Sequence, residues 1–147
     1  MSLPQGCSVV KVLFLACFER FGLHLHKSCA RNRPDGERDE LWGEGMMIAR
    51  IWHGRTRAED YEAYTEFLKE RAIPDYRNTK GFVKLVFLRS VKGGEGHFTL
   101  ITFWESLDAI KRFAGEEYEK AKYYPEDKDY LLEFEEEVEH YEVFAEL

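Results

Sequence analysis

The chain has 147 residues, 44% of them hydrophobic, and a formal net charge of −7. That length suits one ordinary domain, which buries roughly two-thirds of the surface its unfolded chain exposes, so disulfides are not needed to hold it. An acidic chain without a basic stripe lacks the electrostatic footprint of a nucleic-acid binder, and no apolar run approaches the ~20 residues that span a bilayer.

The cysteines, Cys7, Cys17 and Cys29, are odd in number, precede residue 30 and form no CxxC pair, which points to a reduced, cytoplasmic protein. Residues 9–18 look like a secretory leader, yet Lys11 interrupts the apolar run and no Ala-x-Ala site follows. Cys17, His24, His26 and Cys29 are zinc-ligand types at a spacing that matches no familiar knuckle. Basic and acidic side chains balance in residues 1–45, so the excess negative charge belongs to the remainder. Composition changes at Met46. Residues 1–45 are expected to be a poorly ordered or non-native extension, and 46–147 the domain.

Residues 46–53 are β-branched and aromatic, stop at Gly54, and predict a first strand. Thr56 and Glu59 have the spacing of a capping box, and Tyr61, Tyr64, Phe67 and Leu68 recur at helical spacing before Pro74. The apolar runs 81–91 and 97–104 flank a glycine-rich connection and predict a β-hairpin. Ser106 is placed to cap a second helix that turns Leu107, Ile110 and Phe113 inward and breaks at Gly115. A further turn or two of helix is expected over 116–123, and residues 138–144 predict the last strand. The order β-α-β-β-α-β is the ferredoxin-like, α+β split βαβ arrangement, with both helices on one face of a four-stranded antiparallel sheet.

Two helices cover one face only. In the second strand Phe82, Val86 and Leu88 alternate with Val83, Leu85 and Phe87; in the third, Phe98, Leu100 and Trp104 alternate with Ile101 and Phe103. Both faces are apolar, and a face left bare is a patch larger than monomers usually tolerate. A second copy of the sheet is the natural cover, so a homodimer is expected.

Polar or amphipathic residues inside these strands are the candidates for chemistry: Arg50, Trp52, His53, His97, Thr102, Trp104 and His140. Their ordinary roles are structural, because strand-end histidines mostly meet solvent and tryptophans mostly pack. Co-occurrence raises them, since the first strand pairs with the last in this topology and brings Trp52 or His53 toward His140. Tyr118 and Tyr123, near the loop 123–130, are candidates to face a ligand at the mouth of such a pocket. His97, beside the hairpin loop, reads as structural. The acidic run 133–139 reads as a solvated approach to the last strand rather than a metal site.

The segments MIARIWHGRT (47–56), ITFWES (101–106), YYPED (123–127) and VEHYEV (138–143) resemble the antibiotic-biosynthesis-monooxygenase family over roughly residues 46–145. The resemblance implies a dimeric α/β barrel, a pocket between sheet and helices in each protomer, no bound cofactor, and direct attack of dioxygen on a small aromatic phenol or quinol. Under it His53 or His140 acts as base, Trp104 and Tyr123 hold the ring, and Trp52, Arg50 and Tyr118 line the site. Haem-degrading members carry a strand Asn, a Trp ending the third strand and a helical His; here Trp104 matches, Lys122 stands at the His position, and the Asn is lacking. The family also has members without demonstrated activity, so a non-catalytic ligand-binding or stress-response barrel stands beside the oxygenase.

Overall fold

The computed structural model describes residues 24–27, 39 and 42–147. Cys7, Cys17 and Cys29, and the side chains of His24 and His26, lie outside the described residues. The strands are β1 (His24–Lys27), β2 (Ile48–Arg57), β3 (Phe82–Lys92), β4 (Glu95–Trp104) and β5 (Glu139–Ala145). They form one antiparallel sheet in the order β1-β5-β2-β4-β3. The four strands from β2 onward and the helices packed on them are the ferredoxin-like α+β arrangement. β1, from the extension, adds a short edge strand beside β5.

The β3–β4 hairpin turns on Gly93 and Gly94, with φ of 58° and 78°, while Lys92 faces Glu95 across the ladder. Two consecutive positive φ values give the primed turn whose twist matches that of the strands, a conformation glycine adopts without strain. The connection is thus shorter than its glycine content suggests. β3 carries a bulge between Phe82 and Lys84. The extra residue reverses the alternation, so Phe82 packs on the same side as Leu85 and Phe87 and not with Val86. This corrects the simple two-residue count for β3.

Three other expectations are corrected. Thr56 does not cap a helix: it is buried in β2 opposite Gly96, and its hydroxyl donates to the Arg57 carbonyl at 3.0 Å. Sheet pairing prolongs β2 past Gly54 to Arg57, and a short 3-10 turn (Ala58–Asp60) then leads into α1 (Tyr61–Phe67). Pro74 does not end the helix. A π turn (Leu68–Ala72) widens the backbone ahead of it, and Pro74 falls in the first turn of α2 (Ile73–Asn78), where its missing N–H costs little. Residues 116–123 are not helical; Ala121 donates to the Glu136 carbonyl and Val138 to that of Glu119, so an irregular strap uses its amides on the approach to β5. α3 (Leu107–Ala114) follows expectation, with Ser106 Oγ accepting from Ala109 N at 3.2 Å and Gly115 at φ 90°.

The main core lies between sheet and helices, where Tyr76 stacks on Phe113 at 4.5 Å and Trp104 lies 5.4 Å from Phe113 and 5.5 Å from Phe82. A second cluster on the opposite face joins Ala49, Ile101, Phe103 and Tyr141. These four are buried, and Met47, Ile51, Val86 and Val143 pack around them partly exposed. Apolar side chains that do remain exposed include Val83, Leu88 and Val91 on the edge strand β3 and Phe144 on β5.

Gly54 has a steric task. A Cβ there would stand 2.2 Å from Cη2 of Trp52, so the indole lies across the space a side chain would fill. Gly54→Ala is expected to displace Trp52 and destabilise the fold by about 1–3 kcal/mol, read from the urea midpoint with tryptophan fluorescence. An unchanged midpoint and spectrum would refute this packing.

Candidate functional site

β2 places Arg50, Trp52 and Gly54 on the helix side, and His53 and Arg55 on the other. On the helix side a cavity of about 20 Å³, room for roughly one water, is bordered by Arg50 and Trp52 from the sheet, Leu68 and Ala72 from the π turn, and Lys122 and Asp127 from the strap. Tyr64, Tyr76 and Tyr124 complete an aromatic wall.

The polar groups of this wall are mostly engaged. Tyr64 Oη donates to Asp127 Oδ1 at 2.9 Å, and the Tyr124 amide donates to Asp127 Oδ2 at 2.6 Å. Lys122 Nζ donates to Asp75 Oδ2 at 2.9 Å and to the Phe113 carbonyl at 3.1 Å, and Tyr124 Oη donates to the same Asp75 oxygen at 2.8 Å. Burial, reinforced by Asp127, raises the Tyr64 hydroxyl far above the usual range; burial also raises Tyr124, and lifts Tyr76 to about 12. All three phenols stay protonated near neutrality and can donate hydrogen bonds but not act as bases. The Asp127 carboxyl is raised as well, chiefly by burial.

Arg50 is only 2% exposed. Its Nη2 donates to the Lys120 carbonyl at 3.0 Å, while Nε has no partner among the described residues. His140 stands directly opposite Arg50 across the β2–β5 ladder, edge-on to Tyr118 at 5.4 Å and to Trp42 at 6.3 Å. Its Nε2 is buried without a partner. Desolvation, then the Arg50 charge, lowers the imidazole to about 3, so it is neutral at pH 7. The Trp52 N–H is likewise buried without an acceptor in hydrogen-bonding geometry, and the ring lies edge-on to Tyr123 at 6.2 Å. Tyr123 Oη donates to the Glu135 carbonyl and Tyr118 Oη to Asp39 Oδ1.

The structure therefore brings Arg50, His140 and Tyr118 together and sets Trp52 beside the cavity with Tyr123 behind it. It does not bring His53 to them. On the outer face His53 Nδ1 lies 3.2 Å from Glu135 Oε1, and its ring is 5.7 Å from that of His97. Arg55 holds Glu133 and Glu95 there, each at 2.7 Å. Among the described residues His53, Glu133 and Glu135 place ligand-type atoms within 4.8 Å of one another, but Glu133 already serves Arg55. Trp104, fully buried, donates from Nε1 to Thr102 Oγ1 at 2.9 Å and is packed on all sides by the core rings.

Sequence reading missed Lys122, Asp127, Tyr76 and Tyr124 as cavity residues. For Asp127 a signal existed: it stands three residues after Tyr124 at the start of a proline-led 3-10 turn (Pro125–Asp129), where a carboxylate reaches back to the free amide.

No protein-family model matches the chain, and no curated protein matches it. Solved structures do. A protein of unknown function from Nitrosomonas europaea aligns with TM-score 0.54 at 14% identity, over 71% of this chain and 96% of its own. A putative antibiotic biosynthesis monooxygenase from Bacillus cereus aligns at TM-score 0.47 and 20% identity, over 70% and 98%. A haem-degrading protein from Mycobacterium tuberculosis, in a haem-free, cleaved form, aligns at 0.46 and 21%, over 71% and 98%. The first of these likenesses shows the fold. No helix among the described residues is long and apolar enough to cross a membrane.

The state of His140 has a measurable consequence. In the unfolded chain it titrates near 6.5, in the folded one near 3, so the fold prefers the neutral form. Its contribution is complete above pH ~6.5 and is lost as pH falls toward 3, by up to about 1.4 kcal/mol per pH unit. His140→Gln is expected to remove that part of the acid slope in denaturant titrations between pH 6.5 and 4. Identical slopes would show that the imidazole is not held neutral.

Proposed function

We propose that the cavity between sheet and helices binds a small aromatic molecule and that the chain is a cytoplasmic oxidoreductase, oxygenating that molecule without a bound cofactor. The observation that supports this reading is the set of buried nitrogens without hydrogen-bond partners among the described residues on one face of β2 and β5: the donors Arg50 Nε and Trp52 Nε1, and His140 Nε2. Unsatisfied buried polar groups are costly, and a site built for a ligand is where they are retained. The resemblance of the four sequence segments supplies the reaction class.

In this reading His140, already neutral and opposite Arg50 across the ladder rather than on the cavity wall itself, takes the proton of a phenol or of an enolisable CH in a ligand that reaches past Arg50. Forming an anion beside it raises its basicity at the moment of transfer. Trp52, with Tyr123 behind it, holds the ring. The electron-rich anion reacts with dioxygen directly. With anthrone as substrate the balance closes without a reductant: the CH₂ group becomes a carbonyl, one oxygen atom enters it, and the other leaves as water. Trp104, committed to Thr102, supports the wall by packing, and His53 acts on the opposite face.

Oxygen uptake with anthrone or hydroquinone probes by metal-stripped protein is expected, lowered about 10²-fold or more in His140→Ala. Absence of uptake across a broad probe panel would remove the oxygenase reading. One observation favours a non-catalytic ligand carrier instead: the cavity, at about 20 Å³, is far smaller than a three-ring substrate, so catalysis on one requires its walls to yield. A co-purified ligand that survives aeration unaltered in mass spectra would select that reading.

The homodimer is a separate part of the proposal. On the outer face the partly exposed Met47, Ile51, Val86 and Val143, with the exposed Leu88, supply apolar surface for a second copy. Sedimentation is expected to give twice the chain mass at micromolar concentration; a single-chain mass would remove it.

A further inference from the structure

We infer that the ligand of this cavity is an aromatic oxyanion, a phenolate or carboxylate, whose charged oxygen pairs with Arg50. The inference rests on the reading of the cavity as the ligand site and adds the charge that the ligand must carry.

A guanidinium stays charged in proteins, and burying it without a counter-ion is among the most expensive arrangements a fold can hold. With respect to the described residues, Arg50 is in that state. Among the described residues no carboxylate bonds to it: Asp127, the acid on the cavity wall, accepts from Tyr64 and the Tyr124 amide, and Asp75 accepts from Lys122 and Tyr124. Among the described residues its hydrogen bond goes to the Lys120 carbonyl, and Nε has no partner in a side chain that borders the cavity. Lys122 is a second cation on the same wall. Lys122 is already paired with Asp75, and Asp127 is bonded twice, so Arg50 is the cation of this wall to which no carboxylate is bonded among the described residues.

The size of the space agrees. As it stands the cavity admits one oxygen-sized group. Room for the ring behind that oxygen must come from the helix side, where Leu68 and Ala72, the first and last residues of the π turn, face the same space. A widened turn has fewer well-aligned hydrogen bonds than the α-helix around it and marks functional sites in many helices.

The test uses the full chain and 4-nitrophenol, whose anion is yellow, beside 4-nitroanisole, its neutral methyl ether, and benzoate as a colourless competitor. Binding is expected to favour the anion over the ether by about tenfold or more, as charge-assisted bonds do, and to lower the ionisation midpoint of bound nitrophenol. Displacement by benzoate assigns carboxylates to the class, and failure of benzoate to compete restricts it to phenolates; both support the oxyanion. Arg50→Met is expected to abolish the preference while melting no lower than the parent, because it removes an unpaired buried charge. Arg50→Lys, which keeps the charge, should retain part of the preference. Equal binding of anion and ether, no binding of either at millimolar concentration, or a preference unchanged in Arg50→Met overturns the inference. Bound phenolate with no oxygen consumed would leave the oxyanion site standing and remove the oxygenase reading. Oxygen consumption without anion preference would do the reverse.

Discussion

The central position of β2 governs where everything else can be. It is paired on both sides, to β4 along its whole length and to β5 at its start, so its residues must alternate strictly between two covered faces. One set, Ile48, Arg50, Trp52, Gly54 and Thr56, is directed to the helices, and the other, Ala49, Ile51, His53 and Arg55, to the far side. Arg50 is consequently carried into an apolar layer by its neighbours Ile48 and Trp52, and the register with β5 sets His140 against it. No choice of rotamer lets His53 join them, because that would require a one-residue slip that turned the whole strand inside out.

The cavity is polar in an uneven way. Its tyrosines are tied up as donors, and Asp127 is used twice within its own loop. What is left over on its wall is a guanidinium nitrogen, and behind that, across the β2–β5 ladder, stands an imidazole held uncharged by burial. Desolvation is the dominant influence on the ionisable groups there, which is expected where helices, strap and sheet exclude water together. The shared fold with the Nitrosomonas protein of unknown function says nothing about this chemistry, since one fold hosts many activities.

Local patterns in the sequence were enough for β2 to β5, the hairpin and α3, though not for β1, because each rests on a signal within a few residues: Gly93 and Gly94 for the turn, Ser106 for the cap, alternating Phe98, Leu100 and Trp104 for β4. What escaped were features set by distant partners. The bulge in β3 depends on how Phe82 and Lys84 meet β4, and the π turn lets a helix continue through Pro74. Thr56 looked like a cap because pairing with Gly96 cannot be read from its own neighbourhood. Within the site, Arg50, Trp52, His140 and Tyr118 could be singled out as polar or amphipathic residues among apolar ones. Lys122 and Tyr124 could not, since they reach the cavity from an irregular strap with no periodicity to show which side faces in.

The hairpin tip does more than reverse the chain. The Ala58 amide, at the threshold of the first helix, donates to the Gly94 carbonyl at 3.2 Å. That bond joins the beginning of one element to the bend of another far downstream, and only the hairpin is assembled from near neighbours. Contacts between near neighbours close at little entropic expense and form early, whereas remote ones wait for them. The geometry of two glycines thereby favours one order of assembly, in which the ribbon of β3 and β4 closes ahead of the remote contact and its tip fixes where the earlier part of the chain begins to coil.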